Sequence, residues 1–179
     1  NIIFAQSNAM KASYELEKYH EAVIFADKVL QNEKIENSVK SDAQIIIARS
    51  AMKTGDENKA KDAYAEVLKI ATGKLAAEAL YYDAYFKNKS EQFKASNESI
   101  QLLAKEYAGY KYFGAKGLVL MANNFYKLND AFQATYILES VIKNFEDYPD
   151  IIEEATSELA IIKSEQAKTN DSINIEEKN

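Results

Sequence analysis

The sequence predicts an all-α protein built from stacked antiparallel helix pairs, and three observations carry that prediction. Gly and Pro number five and one in 179 residues, far fewer than an average domain carries, while the helix formers Ala, Leu, Glu and Lys abound. Apolar residues recur at spacings of three and four, as on a helix with one buried face. A short motif also returns four times, at intervals close to the length of a helix pair.

The motif is a small residue followed seven and eight positions later by an aliphatic pair. It occurs as Ala22 with Val29-Leu30, Ala60 with Val67-Leu68, Ala95 with Leu102-Leu103 and Ala134 with Val141-Ile142, the four alanines being 38, 35 and 39 residues apart. Each marks the second helix of a pair, and an equally amphipathic stretch precedes it. Helices are therefore expected near 2–17 and 19–32, 38–54 and 56–71, 74–88 and 90–107, and 111–128 and 130–146.

The second pair shows the logic best. Ile45, Ile46, Ala48, Ala51 and Met52 form the apolar stripe, Gly55 stops the helix and Asp56 starts the next. In the fourth pair Leu118, Leu120, Met121, Ala122 and Phe125 precede Leu128-Asn129-Asp130, where Asn tolerates the left-handed conformation and Asp can cap a helix. Small residues at Ala48 with Ala60, and Ala122 with Ala134, allow close helix approach. Pro149-Asp150 opens a ninth helix to about 168, Asp150 and Glu153 having capping-box spacing. Residues 169–179 are expected to be a disordered polar tail, because the apolar spacing ends there.

Charge and composition narrow the function classes. The net charge is −6 and there is no Cys, which excludes disulfides, Cys zinc sites and thiol nucleophiles. Residues 146–179 hold ten acidic and three basic side chains, against 18 and 19 for residues 1–145; neither part suits nucleic acid. No apolar run is long enough for a membrane span. The chain opens on Ile2, Ile3 and Phe4 without a Met and is read as a segment of a longer polypeptide.

No catalytic constellation emerges. His20 is the sole His, so it can form neither a triad nor an ordinary zinc site, and is expected to face solvent. Gly109, Gly114 and Gly117 lack the Lys-Ser/Thr of a phosphate loop. Glu153-Glu154, or Asp42 with Asp83, could be proposed as a catalytic carboxylate pair, but nothing accompanies them. Asn88-Lys89-Ser90 and Asn97-Glu98-Ser99 are glycosylation sequons. No cofactor or metal is expected.

Leu16-Glu17-Lys18-Tyr19-His20-Glu21-Ala22, Lys53-Thr54-Gly55-Asp56-Glu57-Asn58-Lys59-Ala60 and Leu128-Asn129-Asp130-Ala131-Phe132-Gln133-Ala134 resemble the turn and second-helix start of tetratricopeptide (TPR) repeats. The resemblance covers residues 3–145 and is weakest in the third unit. Repeat lengths are irregular, the early tryptophan and terminal proline are absent, and the turn glycine survives only at Gly55; divergence of this kind is similar to that of bacterial cell-envelope and assembly proteins. It implies a right-handed superhelical stack of about four TPR-like repeats, near 3–36, 38–73, 74–108 and 111–146, with a capping helix at 150–168. It also implies a non-catalytic scaffold that holds a peptide or protein segment in a concave groove, within a periplasmic or envelope-associated assembly, a cytoplasmic one being the alternative.

In such repeats the first helix of each pair lines the concave side. By that register the binding residues are Lys11, Tyr14, Arg49, Lys53, Tyr81, Asp83, Lys87, Asn123, Tyr126 and Lys127. Arg49, Lys53, Lys87 and Lys127 would form a ladder of cations suited to an acidic segment. The carboxylate clamp of chaperone-binding relatives is incomplete, since Ser7 and Lys11 occupy two of its positions but Ile46 replaces an Asn. Seven of the twelve Tyr lie between 81 and 126, at positions suited to half-buried contacts. Two other readings stand beside the scaffold: a structural spacer within a longer solenoid, and a small-ligand receptor or enzyme using the Tyr-rich region.

Overall fold

A computed structural model describes residues 2–176, with side chains described through residue 169. Among the described residues every regular element is an α-helix and there is no strand. In chain order the helices are α1 (Ile2–Glu15), α2 (Tyr19–Leu30), α3 (Asn37–Thr54), α4 (Glu57–Ile70), α5 (Gly73–Lys89), α6 (Phe93–Glu106), α7 (Lys111–Lys127), α8 (Ala131–Asn144) and α9 (Pro149–Glu176). These agree with the sequence boundaries to within a few residues, apart from the end of α9.

Two details of α9 differ from expectation. It begins at Pro149, which suits a first helical position because proline has no N–H to leave unpaired. Asp150 consequently lies inside the helix and accepts a bond from the Tyr112 hydroxyl at 2.8 Å, rather than acting as the cap. The helix also continues past residue 168 to Glu176. No Gly or Pro interrupts 169–176, so nothing local stops propagation. Residues 177–179, the rest of the expected tail, lie outside the described residues.

The chain divides into two compact units, 1–83 and 84–179, the boundary falling inside α5. In the first, α1 packs on α2 and α3, α2 on α3, and α3 on α4. Its core is built on Met10, Ala22, Val29, Ala48, Ala60 and Val67. In the second, α6 packs on α7, α7 on α8, and α9 on both α7 and α8. Ala122, Ala134, Leu138, Val141, Ile151 and Ile162 form its core.

One turn recurs four times. At Glu17, Gly55, Glu91 and Asn129 the backbone is left-handed, with φ of 59°, 80°, 58° and 63°. The next N–H in each case reaches back five residues, from Lys18 to Ser13, Asp56 to Ala51, Gln92 to Lys87 and Asp130 to Phe125, at 2.8–2.9 Å. This is the Schellman helix ending, which satisfies carbonyls that the helix leaves open. Asp56 and Asp130 then cap the following helices, accepting from Lys59 N and Gln133 N at 3.1 and 3.0 Å.

The turn residues are 38, 36 and 38 apart, and this spacing corrects the third marker. Ala22, Ala60 and Ala134 each lie five residues after their turn and are fully buried. The residue five after Glu91 is Ser96, fully buried, while Ala95 is only half-buried. Serine is nearly as small as alanine, and its hydroxyl is satisfied by the Ala84 carbonyl at 2.8 Å. The same shift explains the aliphatic pair: Leu103 is buried with Val29, Val67 and Val141, whereas Leu102 is 47% exposed.

Candidate functional site

In the first unit, side chains from α1 and α3 surround a pocket of about 300 Å³. Its apolar floor is Ile45 and Ile46, and Lys11, Tyr14, Asp42 and Arg49 stand around it. These residues converge because α1 and α3, first helices of consecutive pairs, lie against one another. Lys11 Nζ and Asp42 Oδ2 form an ion pair at 2.6 Å. The Tyr14 ring meets Tyr19 edge-on at 5.7 Å.

Arg49 is anchored from beneath. Its Nε and Nη2 donate to Glu78 Oε1 and Oε2 at 2.8 and 2.5 Å, a two-pronged pair with the α5 carboxylate. The Tyr64 hydroxyl of α4 adds a third bond to Glu78 Oε1 at 3.1 Å. Glu78 is 5% exposed, so this carboxylate is held by partners rather than by water. The hydrogen bond to Glu78 raises the Arg49 pKa although burial opposes it. Burial is also the main cause that pushes Tyr64 up, reinforced by Glu78, and it raises Tyr14 against the opposing charge of Arg49. All three therefore keep their protons at neutral pH. The cluster can present fixed charge and aromatic surface.

In the second unit the amides of Asn88, Asn123 and Asn124 join α5 to α7. Asn88 Nδ2 donates to Asn123 Oδ1 at 3.1 Å and to Asn124 Oδ1 at 2.7 Å. Fully buried Asn124 donates in turn to Ser96 Oγ at 2.8 Å and Asn97 Oδ1 at 2.7 Å. At either end of α7, Tyr112 bonds to Asp150 and Tyr126 to Glu165 of α9, so α9 runs parallel to α7. The bond to Glu165 raises the Tyr126 pKa. Glu154 of α9, although exposed at the surface, is also raised, chiefly by partial desolvation, with Lys116 opposing and Glu158 and Asp150 adding to it.

No protein-family model matches the sequence, and comparison with curated proteins gives no significant match. The site rests on its own geometry.

The structure brings together Lys11, Tyr14 and Arg49 from the sequence-derived set, and adds Asp42 and Glu78. Asn123 and Tyr126 lie on α7, both partly exposed and both bonded to neighbouring helices. Asp83 is partly exposed on α5. Lys53 and Lys127 are exposed at the ends of α3 and α7.

Tyr81 and Lys87 depart from their expected places. Tyr81 is 5% exposed, because by turn register it corresponds to Ile45 and Val119, which are core positions. Lys87 corresponds to buried Ala51, and its ammonium donates to Ser99 Oγ at 2.8 Å. The residue matching Lys53 and Lys127 is Lys89, two positions further on. The cation ladder is thus altered: Arg49 is ion-paired with Glu78, and Lys87 points toward α6.

Several other sequence features resolve. Asp42 pairs with Lys11 at 2.6 Å. His20 is exposed, and among the described residues no group of three or more His, Asp or Glu is placed to hold a metal. Gly114 and Gly117 are helical residues of α7. Both sequon asparagines are engaged by Asn124, and Asn97 is 7% exposed, so neither can carry a glycan in this fold. Among the described residues no helix is long and apolar enough to cross a membrane. Glu78 escaped the sequence reading because a lone Glu in Ala76-Ala77-Glu78-Ala79 looks like an ordinary solvated residue; its apolar neighbours on all sides were the available signal.

Proposed function

We propose that the chain is a TPR-like binding module, a superhelical stack whose first helices hold a peptide or protein segment without catalysing a reaction. The observation that carries this reading is the pocket of about 300 Å³ framed by Lys11, Tyr14, Asp42 and Arg49, on the first-helix face that the repeat register selects. An apolar floor with a rigid aromatic and fixed charges at its edge suits a side chain from an extended segment. Lys11 and Arg49 are each matched by a carboxylate, and Glu15 lines the same pocket. The surface therefore suits a segment with polar and apolar groups better than a purely acidic one. An envelope-associated assembly fits the divergent form of the repeats.

The test is affinity capture with the intact chain, comparing variants against the same captured protein. Tyr14→Ala and Lys11→Glu should each lose it, while Lys28→Glu and Lys143→Glu, on second helices, should keep it. Equal loss from both sets would remove the assignment of the binding face. A second reading, a structural spacer, draws support from the internal bonding of Lys11, Arg49, Lys87, Asn123 and Tyr126. A spacer would capture nothing that depends on Tyr14.

A further inference from the structure

A cavity of about 420 Å³ in the second unit belongs to no part of the first-helix surface just described. It lies between α6, α7 and the connections 107–110 and 145–148. Ile100, Leu103 and Leu118 give it an apolar base, and the rings of Tyr107, Phe145 and Tyr148 flank it. Ile100 and Leu103 are each 1% exposed, so the base is solid core. Gly114, one of the lining residues, opens onto free space: a Cβ there would meet no atom within 4 Å.

The polar groups at the cavity decide what it can take. Lys111 and Asp147 both line it and both are exposed. Among the described residues neither takes part in an ion pair. Asn144 directs its amide nitrogen back to the Ser140 carbonyl at 2.8 Å. An apolar slot thus carries one available cation and one available anion. A plain hydrocarbon would leave both unused, and an acyl carboxylate would face Asp147.

We propose that this cavity binds a free apolar α-amino acid, with an aromatic or branched side chain. The side chain packs on Ile100, Leu103 and Leu118 between the flanking rings, the carboxylate meets Lys111 and the ammonium meets Asp147. The volume falls in the lower part of the range of about 300–1,000 Å³ usual for small-molecule sites. The site is independent of the proposed binding of a protein segment, and either can fail without the other.

The experiment is an NMR titration of the intact chain with L-phenylalanine, phenylacetate and phenethylamine, the last two lacking the amine and the carboxylate. L-Phenylalanine should give saturable shifts at residues of α6, early α7 and 145–148. Each analogue should bind about tenfold or more weakly, the loss expected for one charged hydrogen bond. Lys111→Ala should weaken L-phenylalanine and phenylacetate but not phenethylamine, and Asp147→Asn the reverse pair. Gly114→Leu, which fills the space, should abolish binding with helix content retained; should it unfold, the two surface variants decide. Absence of saturable shifts at millimolar L-phenylalanine, equal binding of all three compounds, or indifference to both charge variants would each overturn the assignment.

Discussion

Replacing Glu78 by Ala removes the acceptor of three hydrogen bonds at once, two from Arg49 and one from Tyr64. Breaking a buried ion pair by deleting one partner costs about 3–5 kcal/mol, since the other charge is left without compensation. Arg49 keeps 31% of its side chain exposed while Glu78 keeps only 6%. Water can therefore reach the stranded guanidinium, which lowers that cost to about 2–3 kcal/mol. The orphaned Tyr64 hydroxyl adds about 1 kcal/mol. Glu78→Ala is thus expected to destabilise by about 3–4 kcal/mol. Arg49→Met should cost at least as much, because the carboxylate it abandons is the more deeply buried partner. The double variant Arg49→Met with Glu78→Leu replaces both charges by apolar groups and should recover most of the loss. Urea denaturation followed by circular dichroism on the parent, Arg49→Met, Glu78→Leu and the double variant closes the cycle. A coupling energy below about 0.5 kcal/mol would show that Arg49 and Glu78 act independently, and the account of the anchored site would fall.

Glu17→Gly and Glu91→Gly should each stabilise by about 0.5–1 kcal/mol, since both residues hold a left-handed conformation that strains any Cβ; Asn129→Gly should change little in the same melts. Within α7, Gly114→Ala should stabilise by about 1 kcal/mol through helix propensity alone. Gly117→Ala should gain less or lose outright, because its Cβ would meet Ile100 Cγ2 at 3.2 Å and Leu103 Cδ2 at 3.4 Å; thermal unfolding of the two variants side by side reads the difference. Glu154 has a folded pKa above its unfolded value, so its contribution is fully present below the ordinary carboxyl pKa and is lost as pH rises through the folded pKa. Glu154→Gln should accordingly raise the melting temperature at neutral pH and leave it nearly unchanged in acid.

The repeat was legible because it rests on side-chain size and apolar spacing, which the sequence displays directly. Ala22, Ala60 and Ala134 are buried where the motif put them. The third unit departs by one residue because size, rather than alanine itself, is what the position requires, and Ser96 meets that need once its hydroxyl donates a hydrogen bond to the Ala84 carbonyl. In α5 the turn spacing makes Lys89 the counterpart of Lys53 and Lys127, and places Tyr81 in the core with Ile45 and Val119. The left-handed Glu17 and Glu91 were illegible for a different reason: the turn is imposed by the helices it joins, against the preference of the residue itself. Among site residues, Lys11, Tyr14 and Arg49 could be found from register, but their partners Asp42 and Glu78 could not. A pairing across 31 or 29 residues depends on which helices touch.

Asn124 bears on how such a chain avoids mistaking one of its own repeats for another. Helix pairs that share size and spacing offer one another plausible wrong docking partners, in the same molecule or in a neighbouring copy. Asn124 satisfies its amide only when Asn88, Ser96 and Asn97 all arrive together. A slip of α7 by a single turn, or an exchange for an equivalent helix, would leave several of these groups dry and unbonded in the core, each at a cost of about 1–3 kcal/mol. The amide cluster thereby works as a proofreading contact, penalising misassembly more heavily than any aliphatic residue of the same volume could.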